Sequence, residues 1–226
     1  MAERGDTLFL LGRDAQDLER SASDLDVRGG GHRCLGTAMC DLERPGTFEP
    51  ALAAAERALG ALDAVVVTAG RFATQDRLEA DAGLLEAMLT SNFTGTVLFC
   101  EAARRRLAAT KGVLCVFSSV AGDRGRKPTA LYGAAKAGLS QYLEALDHRE
   151  SANGLRVVCV KPGFVKTSMT AGLPEPPFAA EPAEVARIVL RGIDGGTPIV
   201  YAPPIWRWIM LVIRLLPRFV MRRVGF

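Results

Sequence analysis

Tyr132 and Lys136 stand four residues apart in Tyr132-Gly-Ala-Ala-Lys136, and Ser119 lies thirteen residues before the tyrosine. On a helix, positions i and i+4 share a face, so a phenol and an ammonium at that spacing can bring their polar ends to one site. An ammonium about 4 Å from a phenol, at an effective dielectric near 20, favours phenolate by ~4 kcal/mol, roughly three pKa units before burial opposes it. Such a tyrosine would move from about 10 towards the range of a useful general acid or base. A bare Tyr-x-x-x-Lys is also common on ordinary helices, as a buried tyrosine beside an extended lysine. The serine changes the reading. Ser119 closes the apolar run Val116-Phe117-Ser118-Ser119, and the carboxyl ends of strands in an open parallel sheet are where ligands bind.

The elements that must position these residues can be read from the apolar pattern. Strand-like runs fall at Thr7–Leu11, Cys34–Cys40, Ala64–Thr68, Gly112–Ser118, Leu155–Lys161 and Pro198–Tyr201. Helical stretches lie between them at Asp14–Val27, Thr47–Leu59, Asp81–Ala109, Thr129–Ala152 and Glu181–Ile193. Val65-Val66-Val67 and Val157-Val158-Cys159-Val160 do not alternate with polar residues, as suits strands covered on both faces. The expected fold is α/β, a Rossmann-like doubly wound parallel sheet over residues 1–202, followed by an apolar and basic helical tail over 203–226. Leu173-Pro-Glu-Pro-Pro-Phe178 reads as a loop beside a substrate pocket.

Bulk properties narrow the function. A length of 226 residues suits one α/β domain with a sizeable core. A net charge of +3, with no basic run interleaved with aromatics over residues 1–200, argues against nucleic acid. Five cysteines with no C-x-x-C spacing, Cys115 and Cys159 inside apolar runs, fit a reduced, cytoplasmic setting. Only His32 and His148 are available as histidines, so no histidine-rich metal site is expected. The charged start, Met1 to Asp6, does not read as a secretory signal.

With Ser119, Tyr132 and Lys136 in this order, the sequence resembles the short-chain dehydrogenase/reductase family, over residues 1 to about 202. Other segments agree in order: Asp41-Leu42 after a strand, Thr68-Ala69-Gly70 at another strand end, Asn92 in Thr90-Ser91-Asn92-Phe93, and Lys161-Pro-Gly-Phe-Val-Lys-Thr167. The family usually has Asn-Asn before its Ala-Gly; here Val67 and Thr68 replace both asparagines. The resemblance implies hydride transfer between a nicotinamide cofactor and a carbonyl/alcohol pair. It makes Tyr132 the proton donor or acceptor at the substrate oxygen and Ser119 its hydrogen-bonding partner. Lys136 would lower the tyrosine pKa and contact the ribose, and Asn92 would serve a water-linked relay. Asp41, Leu42, Ala69, Gly70, Pro162, Gly163, Val165 and Thr167, with Tyr132 and Lys136, would hold the cofactor. Arg13, in Gly12-Arg13-Asp14 after the first strand, suits a ribose 2′-phosphate through paired donors, which favours NADP(H) over NAD(H).

The family's Gly-rich phosphate turn is absent. Gly29-Gly30-Gly31 lies between a helix and a strand, the wrong place for it. Met1 to Leu8 resembles the end of the family's first helix running into its second strand, so the first strand and the turn are expected outside this chain. A catalytically silent relative acting as a binding or scaffold protein is therefore the alternative. In the tail, Arg207, Arg214, Arg218 and Arg222 are spaced to form one basic stripe on a helix, with Trp206, Trp208 and aliphatic residues on the rest. Internal arginines oppose a bilayer span, and Pro217 should break the helix. In-plane attachment to the inner face of a membrane is expected, beside a lipophilic or lipid-linked carbonyl substrate. The tail also resembles the ends of some reductases of polyprenyl-phosphate-linked keto-sugars. Packing on the domain or in a homo-oligomer is the other use of such a tail.

Overall fold

In the computed structural model, which describes residues 1–225, strands and helices alternate along the chain. The first half runs β1 (Leu8–Gly12), α1 (Ala15–Gly29), β2 (Cys34–Met39), α2 (Phe48–Leu59) and β3 (Ala64–Val67). Then come α3 (Gln75–Ala80), α4 (Ala82–Leu89) and α5 (Gly95–Thr110), the last two joined by a wider helical turn over Thr90–Thr94. The rest is β4 (Val113–Phe117), α6 (Ala130–Glu150), β5 (Arg156–Pro162), α7 (Pro182–Asp194), β6 (Ile199–Ala202), α8 (Ile205–Leu215) and α9 (Arg218–Met221). Each expected strand forms, with its ends within one residue of those read from the sequence. Local chemistry sets several boundaries. The Asp14 carboxylate accepts from Asp17 N at 3.0 Å to start α1, and Gly30, at φ 70°, stops it in the left-handed region.

All strand pairing is parallel. β3-β4-β5-β6 form one sheet and β1-β2 a second, so β1 and β3 each leave one edge unpaired. The fold is α/β as expected, with the sheet in two pieces. Both pieces share a core: Phe9 and Leu11 of β1 and Val65 and Val67 of β3 pack with Phe48, Leu52, Phe99, Leu107, Leu139 and Leu143 from the helices. On the other side, Val113, Cys115, Val158 and Val160 meet Val185, Val189 and Ile193 of α7. β4 and β5 are thus covered on both faces, and Cys115 and Cys159 pack there as small apolar groups. The Val65-Val66-Val67 run is also covered on both faces, Val65 and Val67 packing into one core and Val66 into the other, but the open edge of β3 leaves Val65 and Val66 only half-buried.

The tail departs from a single striped helix. It breaks at Leu216-Pro217, so Arg207 and Arg214 lie on α8, Arg218 begins α9 and Arg222 follows it. Met210 and Ile213 of α8 are buried with Val120, and Trp206 and Ile209 pack beside them, which ties the tail to the domain. Among the described residues no helix is long and apolar enough to cross a membrane.

Candidate active site

Ser119 follows β4 in extended backbone and opens a short turn over Val120–Gly122, its hydroxyl accepting from Ala121 N at 3.1 Å. That turn lies directly on α6. A Cβ on Gly122 would come 2.6 Å from the Lys136 carbonyl carbon, and one on Gly133 2.8 Å from Ala121 O. Two glycines let the Ser119 turn and the Tyr132–Lys136 helix touch backbone to backbone. Ser118 adds a bolt, donating to Lys136 O at 2.9 Å and sharing a 2.7 Å hydrogen bond with Ser140.

A cavity of about 630 Å³ opens at these strand ends, lined by Asn92, Ser119, Tyr132 and Lys136. Gly70, Pro162, Gly163, Val165 and Thr167 also line it, as do Leu173 and Pro176 of the proline-rich loop. Arg13, Asp41, Leu42 and Ala69 do not line it. Arg13 and Asp41 follow β1 and β2, where Arg13 lies 3.7 Å from the Glu43 carboxylate and Asp41 accepts from Glu43 N at 3.0 Å. Glu43 also pairs with Arg71, which links this edge to the cavity wall. The Leu42 backbone lies against α5, where a Cβ on Gly95 would fall 1.9 Å from Leu42 O.

Asn92 is fully buried in the wide turn between α4 and α5. Its amide accepts from Arg71 N at 2.8 Å and donates to Arg71 O at 2.6 Å, fixing the chain just after Gly70. The turn is widened by one residue, with Gly95 N bonding Thr90 O; such insertions are frequent at functional sites. The expected helix over Asp81–Ala109 runs through it.

Electrostatics correct one expectation. Lys136 Nζ donates to Phe117 O at 2.8 Å and sits 5.9 Å from the centre of the Tyr132 ring. The Tyr132 phenol is not pulled down. Burial pushes it up to about 12, against the opposing hydrogen bond with Ser119. Burial likewise brings Lys136 down to about 8. Both charged forms lose hydration in the same apolar pocket, and that loss outweighs their attraction at this separation.

Sequence reasoning missed several wall residues. Arg71, Phe72, Arg126, Thr129 and Trp206 all line the cavity. Phe72 packs edge-on to Tyr132 with ring centres 5.1 Å apart. Trp206, read as a tail residue, lies on Gly163, where a Cβ would meet its Nε1 at 1.9 Å. Loop arginines and a tail tryptophan carry no periodic signal; only the packed fold places them.

A parallel α/β fold with a serine, a tyrosine and a lysine gathered at its strand ends defines an oxidoreductase. The chain belongs to the short-chain dehydrogenase family, whose profile matches residues 1–177. It is 33% identical over 221 residues to an uncharacterized oxidoreductase of Mycobacterium tuberculosis, covering 97% of this chain and 88% of that one. Carbonyl reductase family member 4 of Danio rerio is 29% identical over 198 residues, with 84% and 81% covered. A short-chain dehydrogenase from Sphingobium yanoikuyae, solved in complex with NADPH, superposes with TM-score 0.79 at 25% identity, over 93% of this chain and 84% of that one.

Proposed function

We propose that this oxidoreductase reduces a lipophilic carbonyl compound, with Tyr132 as the proton donor and NADP(H) preferred over NAD(H). The observation that carries the reading is the single cavity onto which Ser119, Tyr132, Lys136 and Asn92 converge, with apolar walls from Val120, Leu173 and Pro176. A phenol at about 12 stays protonated through the neutral range, which suits an acid rather than a base. Ser119 holds the carbonyl oxygen, Tyr132 gives it a proton, and the Lys136 ammonium stabilises the phenolate as it forms. Asn92 acts by holding the Gly70–Arg71 backbone.

The residues fit the nicotinamide end of a dinucleotide. Arg71 Nε is buried on the cavity wall without a protein acceptor, and a Cβ on Gly70 would stand 3.0 Å from Asn92 Oδ1 and 3.7 Å from Lys136 Nζ, so the bare glycine backbone faces the polar end of the site. Tyr132 and Lys136 would hold the ribose; Pro162, Gly163, Val165 and Thr167 would hold the ring, with Arg13, Asp41, Leu42, Ala69 and Gly70 towards the adenosine. When bound, the cofactor supplies the hydride. Between β1 and α1 the chain runs Arg13-Asp14, which offers Arg13 to a ribose phosphate at that strand end.

The pH profile tests this assignment. Lys136 is charged below its value of about 8 and neutral above it. NADPH-dependent ketone reduction, followed as kcat/KM, should be level on the acid side and fall as pH rises through about 8. A profile that rises there would remove the lysine from its role.

A specific observation favours a second role for the tail, peripheral attachment to a membrane surface. Ile205, Trp208, Leu211, Val212, Leu215 and Phe219 are exposed together, while α8 buries Met210 and Ile213. Arg207, Arg214, Arg218 and Arg222 are exposed and make no ion pair among the described residues. An apolar face with arginines and a tryptophan beside it suits the lipid headgroup region. Removal of the whole tail would also strip Met210 and Ile213 from the core, so the informative variant is Trp208→Glu with Leu215→Glu. It should lose co-sedimentation with anionic vesicles and keep its thermal stability. Unchanged co-sedimentation would remove the membrane role, and a fall in oligomeric mass instead would assign this face to self-association.

A further inference from the structure

Among the described residues, four side-chain polar atoms are buried with no hydrogen-bond partner: Arg71 Nε, Arg126 Nε, Thr129 Oγ1 and Trp206 Nε1. All four residues line the active-site cavity. Three of the four atoms are N–H donors that cannot accept, and the hydroxyl can also donate. Buried donors normally find acceptors, so orphans gathered around one cavity point to an acceptor-rich ligand.

Arg126 carries the charge. Its loop follows Ser119, and no acidic side chain pairs with it among the described residues. The acid whose charge reaches it is Asp123, and both oxygens of Asp123 are taken. Lys161 Nζ is 2.5 Å from Oδ1 and Tyr201 donates to Oδ2 at 2.8 Å. The loop is held from both sides: Arg124 donates to Leu216 O at 2.9 Å and Lys127 to Arg222 O at 2.7 Å. Arg126 is thus a half-buried guanidinium on a loop held through both of its neighbours, and its burial disfavours the charged form. An arginine stays charged in such a place, and its planar fork matches an oxyanion.

We infer that the carbonyl substrate carries an anionic group, a carboxylate or a phosphate, which Arg126 receives with Thr129 and Trp206 while Ser119 and Tyr132 hold the carbonyl. This deepens the reductase reading and rests on it. The neutral, purely lipophilic ketone is then the weaker substrate.

The test uses titration calorimetry with para-acetylbenzoate, its neutral methyl ester and para-acetylphenyl phosphate, on the wild-type chain, Arg126→Gln and Arg126→Lys. The wild type should bind at least one anion about tenfold or more tighter than the ester; the tighter anion names the group. Arg126→Gln should lose that preference, and Arg126→Lys should recover part of it. Melting curves confirm that each variant folds. No preference in the wild type, or a preference that survives in Arg126→Gln, would overturn the inference. A fall in NADPH affinity in Arg126→Gln with the probe preference intact would assign the arginine to the cofactor and overturn it too. NADPH consumption on the same probes separates the two claims. Turnover without anion preference leaves the reductase and removes the Arg126 site; anion binding through Arg126 without turnover does the reverse.

Discussion

Tyr132→Phe should lower kcat for carbonyl reduction by about 10²–10⁴-fold, the usual contribution of a positioned general acid. The change removes one oxygen and keeps the ring. The edge-on contact with Phe72 at 5.1 Å and the backbone fit between Gly133 and Ala121 therefore survive. The loss should fall on kcat, with the cofactor Kd altered only by the hydroxyl's share in ribose binding. The phenol is uncharged in the fold, so losing its hydroxyl should change stability by no more than about one hydrogen bond, ~1 kcal/mol. A variant that retained more than about a tenth of wild-type turnover would take Tyr132 out of proton transfer.

Asp123→Ala should be the most damaging single change to the fold outside the apolar core. Asp123 has 2% and Lys161 10% of its side-chain surface exposed, so the pair is dry. Removing the carboxylate leaves a buried ammonium with no counter-charge and takes the acceptor from Tyr201. Breaking a buried pair in this way costs about 3–5 kcal/mol, which for a chain of this size lowers Tm on the order of 10 °C. Asp123→Leu with Lys161→Met should recover the part of that loss due to the unpaired ammonium, leaving about 1 kcal/mol for the acceptor that Tyr201 still lacks. Denaturant titration of the single and double variants measures both. A loss below about 1 kcal/mol in Asp123→Ala would mean that water reaches Lys161. The same cluster supports the site, since it anchors the loop carrying Arg126 to β5 and β6.

The strands were legible because parallel strands under helices must be apolar without interruption, and Val113–Phe117 and Arg156–Pro162 are nearly so. Tyr132, Lys136 and Ser119 were legible because a helical spacing and a strand end are local facts. Other features depend on tertiary packing. The wide turn that seats Asn92 differs from a plain helix by one displaced hydrogen bond, with Thr96 Oγ1 donating to Ser91 O at 2.7 Å beside it. No residue type announces that. The six-residue α3 is too short to show a helical period. The direction of the phenol shift was misread because spacing gives proximity but not dryness. At 5.9 Å from the ring centre, with its ammonium committed to Phe117 O, Lys136 does not offset the hydration the phenolate would lose. Arg126 sits in a charged loop, Asp123-Arg-Gly-Arg-Lys127, which reads as solvated until Asp123 is seen to be consumed by Lys161 and Tyr201.

If the proposed reaction holds, a hydride and a proton reach one carbonyl group in this cavity, the proton from Tyr132. The direct measurement is a single turnover of para-acetylbenzoate with NADPH deuterated at its transferable position, the alcohol product being analysed by mass spectrometry. One deuterium is expected on the carbinol carbon with the wild-type chain, and no labelled alcohol above background on the same time scale with Tyr132→Phe. Bound NADPH and bound ketone without labelled alcohol from the wild type would contradict it, and would leave the chain as a binding member of its family.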